Sequence, residues 1–324
     1  MMLRGLKSFM NKHIAILGST SHIAKGVIIN FLRNSEFILH LYSRSPEKVR
    51  TFLQSYGKAD KKNIIINGGY SEFNKHSYDV IINCVGVGTM KSAEKKYSDY
   101  FMVTERYDNL IIEYLINNPG ALYISFSSGA VYGREFSAPA VEKTRNNIEV
   151  NYITTEDYYG IARLNAEAKH RSFKDLNIVD LRIFSYFSRF INLTDGYFIT
   201  EILNCILNKK MLITSNINFT RDYLHPEDLY RAIRKSMDTE KLNGTFDINS
   251  ACPVEKTEIL DYFSSEYGLQ YEKRESSEHF SPTGSKNIYC SNYNNASSIG
   301  YKPVFTSIDT IKEEAKYILK NNMK

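Results

Sequence analysis

Short apolar runs alternate along the first half of the chain with segments whose apolar residues recur at helical spacing. The run at 13–17, His-Ile-Ala-Ile-Leu, ends in a Gly-Ser-Thr-Ser turn and predicts a buried strand. Ile23, Ala24, Val27, Ile28, Phe31 and Leu32 then share one face of a helix that Asn34 and Ser35 end. Residues 37–42 predict a second strand, 63–66 a third, and 80–85 a fourth that runs into Gly86. Val103, Tyr107, Leu110, Ile111, Tyr114 and Leu115 form the stripe of a long helix, stopped by Asn117-Asn118-Pro119-Gly120. Residues 121–126 and 178–184 read as the fifth and sixth strands, with a helix over 156–173 between them. This alternation predicts an α/β fold with a doubly wound parallel sheet covered on both faces.

After Phe184 helices and short strands mix, and turn residues cluster, as at Thr194-Asp195-Gly196. The change predicts a smaller C-terminal α/β lobe over the carboxyl edge of the sheet, where ligands of such sheets bind. The expected division gives the sheet domain residues 11–185 with a returning segment of about 216–248. The lobe takes 186–215 and 249–324. His225-Pro226-Glu227-Asp228 reads as a helix start, with Pro in the first turn and two acids at the positive dipole end. Thr306-Ser307-Ile308-Asp309 opens a terminal helix with Ile311, Ala315, Ile318 and Leu319 inward.

Composition narrows the function classes. Lys and Arg number 41 against 36 Asp and Glu, a net +5 spread along 324 residues, without the basic stripe of a nucleic-acid binder. No apolar run approaches the ~18 residues of a spanning helix, so no membrane partner is expected. The basic stretch 1–12 lacks the apolar core of a secretory signal. Cys84, Cys205, Cys252 and Cys290 lie far apart with no metal-ligand spacing. They read as reduced thiols of a cytoplasmic protein without a metal.

Three clusters carry candidate chemistry. Gly18-Ser19-Thr20-Ser21-His22-Ile23-Ala24 follows the first strand and opens a helix, the context of a phosphate-binding turn. Gly18 permits the tight turn, and the helix start offers free N–H groups, although Ser21 and Ala24 stand where further glycines would be. His22 could approach a cofactor; the plainer reading is a surface histidine. At the end of the second strand, Ser43-Arg44 replaces the acid that would accept from an NAD ribose, which suits the 2′-phosphate of NADP over NAD. The fifth strand runs into Ser128-Gly129-Ala130-Val131-Tyr132-Gly133. Farther on, Tyr159 and Arg163 share one helix face. A cation near a phenol favours the phenolate, and such a tyrosine can move a proton while Ser128 hydrogen-bonds the same oxygen.

The ordered set resembles the extended short-chain dehydrogenases/reductases of the NAD-dependent epimerase/dehydratase branch, which act on nucleotide sugars. The segments that carry the likeness are the Gly18 turn, Asn83-Cys84-Val85-Gly86, the run from Ser128 to Gly133 and Tyr159-Gly160-Ile161-Ala162-Arg163. Leu181-Arg182-Ile183-Phe184, Thr220-Arg221-Asp222-Tyr223-Leu224-His225 and Ile299-Gly300-Tyr301-Lys302-Pro303 complete it.

The resemblance implies a Rossmann-like fold. It also implies that the Gly18–Ile23 turn, Ser43, Arg44, Asn83, Val85, Gly86, Tyr159 and Arg163 hold NADP or NAD. Ser128 would orient the sugar oxygen, Tyr159 would be the acid/base, and Arg163 would stand in the place of the family's lysine. Arg221 would grip the substrate diphosphate, and Ser185 would occupy a substrate-contacting position. The implied activity is 4-ketoreduction of a nucleotide 4-keto-6-deoxysugar. A 4-epimerase retaining NAD, and a silent dinucleotide-binding sensor or scaffold, are the alternatives. The two long helices, with Tyr107 and Tyr114, could also form a homodimer interface, although both tyrosines fit a monomer's core equally well.

Overall fold

The computed structural model describes residues 11–58, 61–87, 96–134, 136–275 and 287–322; the basic stretch before residue 11 lies outside them. Strands β1 (Lys12–Leu17), β2 (Phe37–Ser43), β3 (Ile64–Gly68), β4 (Val80–Asn83), β5 (Leu122–Ser128), β6 (Asn177–Ile183) and β7 (Asn243–Ile248) form one sheet. Every neighbouring pair is parallel, in the order β7-β6-β5-β4-β1-β2-β3. The order reverses between β1 and β4, so a crevice opens at their carboxyl ends. The fold is Rossmann-like, as expected.

The strands read as near-continuous apolar runs because both faces are covered. Helix α1 (His22–Phe31) starts at the β1 turn and α2 (Pro46–Ser55) follows β2. Helix α3 (Asp99–Asn117) and α4 (Tyr158–Ser172) pack together on the opposite face, above a core of Ala15, Leu17, Ile81, Tyr107, Ile111 and Tyr114. Tyr107 and Tyr114 are buried in this core. Between the helices His170 is buried and bonded to Asp108 through Nε2 (2.6 Å) and to Asp180 through Nδ1 (2.8 Å).

The lobe has its own core, from α5 (Phe198–Leu207), α7 (Lys256–Tyr267) and α8 (Ser307–Asn322). Helix α6 (Pro226–Met237) belongs to the sheet domain, packing on α1. Its cap is the side chain of His225, whose Nδ1 accepts the Glu227 N–H. The expected division needs two corrections. Thr220–Arg221, inside the returning segment, pairs instead with the lobe strands Val254–Glu255 and Ile288–Tyr289. Ala296, Ile299 and Tyr301, assigned to the lobe, pack in the sheet core. The lobe is joined to α1 by Tyr186, whose hydroxyl fills the space a side chain at Gly26 would need. Among the described residues no helix is long and apolar enough to cross a membrane.

Burial opposes charge on His170, but hydrogen bonds and attraction from Asp108 and Asp180 outweigh it and lift its pKa from 6.5 to about 9. The folded chain therefore holds a proton that the unfolded chain releases, so this contribution is full below pH 6.5 and lost as pH rises through 9. Melting curves of His170→Gln should fall less between those two pH values than wild-type curves. Parallel pH dependence of the two proteins would refute the assignment.

Candidate active site

The turn after β1 is fixed by backbone sterics. Gly18 has φ +71°, and a Cβ there would lie 2.9 Å from the carbonyl carbon and oxygen of Cys84, so β1 and β4 can approach only because the residue is glycine. Ser19 is buried; its N–H donates to Tyr42 O (3.0 Å) and its hydroxyl to Ile16 O (2.8 Å). Its polar groups anchor the turn rather than facing a ligand, which corrects the expected contact. Ser21 Oγ caps α1 by accepting the Ala24 N–H (3.2 Å). The first-turn N–H groups of His22 and Ile23, beside half-buried Thr20, have no acceptor within the helix.

His22 is not a surface histidine. Its ring packs 4.9 Å from that of Tyr186, and burial drives its pKa down to about 3 despite a bond to the Ser188 backbone.

Two further expected contacts are spent inside the protein. Ser43 is buried and its Oγ accepts the Ser45 N–H (3.0 Å). Asn83 Oδ1 accepts the Val85 N–H (3.0 Å) while its Nδ2 donates to Tyr123 OH (3.1 Å), so the side chain shapes the loop that carries Val85 and Gly86. Arg44 is exposed and joins no ion pair among the described residues. Tyr70, which the sequence reading passed over, leans across the turn. It stacks against Tyr42 (6.0 Å) and meets Tyr107 edge-on (4.7 Å), with the Gly18 N–H near its hydroxyl. Burial raises that phenol to about 12.

Farther along the same edge, Ser128 ends β5 and caps the turn Gly129–Tyr132, accepting the Ala130 N–H (3.2 Å). Helix α4 lies close against this turn because Gly160 has no side chain: a Cβ would meet Ala130 O at 2.5 Å. The contact delivers Tyr159 to the cleft, where its ring lies 5.3 Å from Tyr100. Arg163 stacks on the Tyr159 ring, its Cζ 5.3 Å from the centroid, and its guanidinium reaches Gly86. The cation thus faces the π-surface of the phenol and bridges α4 to the loop after β4.

The lobe adds Arg221 and a residue the sequence did not disclose, Tyr289. Arg221 is 5% exposed, lies over Phe219 (4.5 Å) and donates to Thr220 O (2.9 Å), with no carboxylate partner among the described residues. Burial without a counter-charge lowers its pKa, which marks a guanidinium short of an anion. Tyr289 pairs with Arg221 in register, and its hydroxyl is 2.9 Å from Ser128 Oγ. Ser185 begins a two-residue strand paired with Tyr223–Leu224, with Ser185 opposite Tyr223.

Cations and unpaired N–H groups thus meet along one sheet edge, a surface suited to phosphates and a carbonyl oxygen. The residues fit a dinucleotide: the free N–H groups at the α1 start suit a pyrophosphate, and Arg163 spans from Tyr159 to Gly86.

Residues 20–249 match the model of the NAD dependent epimerase/dehydratase family. The chain is similar to the Bacillus cereus UDP-glucuronic acid 4-epimerase solved with UDP-glucuronic acid and NAD, at 17% identity and TM-score 0.76, covering 95% of this chain and 99% of that one. It is also similar to Thermotoga maritima UDP-glucose 4-epimerase with UDP-glucose, at 15% identity and TM-score 0.76, with the same coverage. Bacillus anthracis dTDP-glucose 4,6-dehydratase with NAD matches at 15% identity and TM-score 0.73, covering 96% and 98%. No curated protein matches the chain.

Gly18→Ala should cost about 1–3 kcal/mol from the positive φ alone and push the turn away from Cys84. Urea unfolding should show that loss, and NADPH titration by fluorescence should show affinity reduced at least about tenfold. Unchanged affinity would separate the turn from cofactor binding.

Proposed function

Because the chain belongs to the NAD dependent epimerase/dehydratase family, we propose that it is a nucleotide-sugar reductase. In this reading it prefers NADPH and reduces the 4-keto group of a nucleotide-linked 6-deoxysugar. The observation that carries the proposal is the meeting of Ser128, Tyr159 and an uncompensated Arg221 in one cleft.

A nicotinamide cofactor, when bound, supplies the hydride. Tyr159 gives its phenolic proton to the carbonyl oxygen as that oxygen gains charge, and Ser128 holds the oxygen with a hydrogen bond. Arg163, fixed against the Tyr159 ring and Gly86, orients the phenol and adds positive charge where the oxygen's charge develops. Arg221 binds the substrate diphosphate with a planar fork of donors, and Ser185, paired with Tyr223, contacts the substrate. Exposed Arg44, free of carboxylates among the described residues, supports the 2′-phosphate of NADPH over the bare ribose of NAD. The competing reading is a 4-epimerase with retained NAD, favoured by the NAD and UDP-sugar complexes of its structural neighbours.

Incubation with NADPH and a panel of nucleotide 4-keto-6-deoxysugars should consume reduced-nicotinamide absorbance. Tyr159→Phe should lower kcat by about 10²–10⁴-fold. Isomer interconversion without net cofactor use would replace reductase by epimerase. An unimpaired Tyr159→Phe protein would end the tyrosine mechanism in either form. Arg221→Leu should raise KM for the nucleotide sugar at least about tenfold while leaving NADPH affinity unchanged, since only the substrate diphosphate loses its partner.

A further inference from the structure

Tyr289 is held in the cleft by packing that would serve a phenylalanine equally well. Its ring meets Phe136 at 5.3 Å and Phe184 at 5.1 Å, both edge-on, beside Val131 and Tyr132. Burying a phenol hydroxyl costs free energy unless it is hydrogen-bonded. This one is directed at Ser128 Oγ, 2.9 Å away.

Either hydroxyl can be the donor in that contact. Ser128 Oγ already accepts the Ala130 N–H at 3.2 Å, and the same N–H also approaches the Tyr289 oxygen. The Tyr289 proton has Ser128 Oγ within reach. Burial raises the Tyr289 pKa far above its usual range, so the hydroxyl keeps that proton at working pH. When Tyr289 donates, Oγ carries two donors and the Ser128 hydrogen is left for a substrate oxygen.

We propose that Tyr289 is a positioning residue that donates to Ser128 Oγ, commits the Ser128 hydrogen to the substrate oxygen and strengthens it as a donor. The inference rests on the reductase reading and adds a group from the far end of the chain to it. Tyr289 neither gains nor loses a proton over the cycle; the proton that reaches the substrate still leaves Tyr159. The register of Ile288–Tyr289 with Thr220–Arg221 adds a second consequence: the strand pair that presents the anion receptor also fixes the phenol. Diphosphate seating and Ser128 orientation are therefore set by one piece of backbone.

Four proteins test this: wild type, Tyr289→Phe, Ser128→Ala and the double variant, each assayed with NADPH and a nucleotide 4-keto-6-deoxysugar that wild type accepts. Tyr289→Phe should keep its melting temperature and KM within about twofold and lose about 10–100-fold in kcat. The double variant should be no slower than Ser128→Ala alone, because Tyr289 acts through that hydroxyl. Unchanged kcat in Tyr289→Phe, a loss confined to KM, or losses that multiply in the double variant would each overturn the assignment while leaving the reductase reading intact. A wild-type protein that turns over no member of the panel overturns the reading, and the assignment with it.

Discussion

One partly buried guanidinium holds the candidate site together. Arg182, on β6, grips Glu167 of α4 through Nε (2.9 Å) and Nη2 (2.5 Å), and donates to Tyr132 OH at 2.8 Å. Tyr132 in turn donates to Asp247 of β7, which also accepts from Ser291 (2.6 Å), and Ser127 donates to Glu167. The helix bearing Tyr159, the strand end bearing Ser128 and the segment bearing Tyr289 are all tied to this group. Removing one member of such a network strands the others without partners, at about 3–5 kcal/mol for a buried charge. Sheet, helix and lobe are therefore held in one geometry.

Above that floor the electrostatics divide in two. Three buried acids have cations beside them: Glu167 has Arg182, Asp108 has Lys169 and His170, and Glu314 has Arg189. The cations on the cleft wall, Arg163 and Arg221, have no matching acid among the described residues. Holding Arg221 buried and unpaired costs stability in the free protein, and an incoming anion recovers that cost. The same asymmetry explains why a near-neutral composition says little about the site, because a net +5 is spread along the chain and the useful charge is local.

Much of the architecture was legible because its causes are local. Apolar runs, the Gly18 turn and the breaker after α3 announce themselves over a few residues, and the periodicity of α4 put Tyr159 and Arg163 on one face. Strand ends were less legible: β5 continues to Ser128 and β4 stops at Asn83, because pairing with neighbours and not hydropathy decides where a strand ends. Polar side chains misled where their bonds run inward. Ser19, Ser43 and Asn83 look like ligand contacts in sequence, yet each satisfies the backbone of its own turn. Tyr289 was invisible for the opposite reason, since its two-residue strand has no periodicity and only pairing with Thr220–Arg221 gives it a place.

The seat of Tyr186 in the gap at Gly26 has a mechanical consequence. The phenol keys the first residues of the lobe into the helix that begins at the cofactor turn, so those residues and that helix translate together. Any swing of the lobe that opens or shuts the cleft must then bend beyond this key. Its hinge belongs beyond Tyr186 and not at the end of β6, and a bulkier residue at 26 would unlock it.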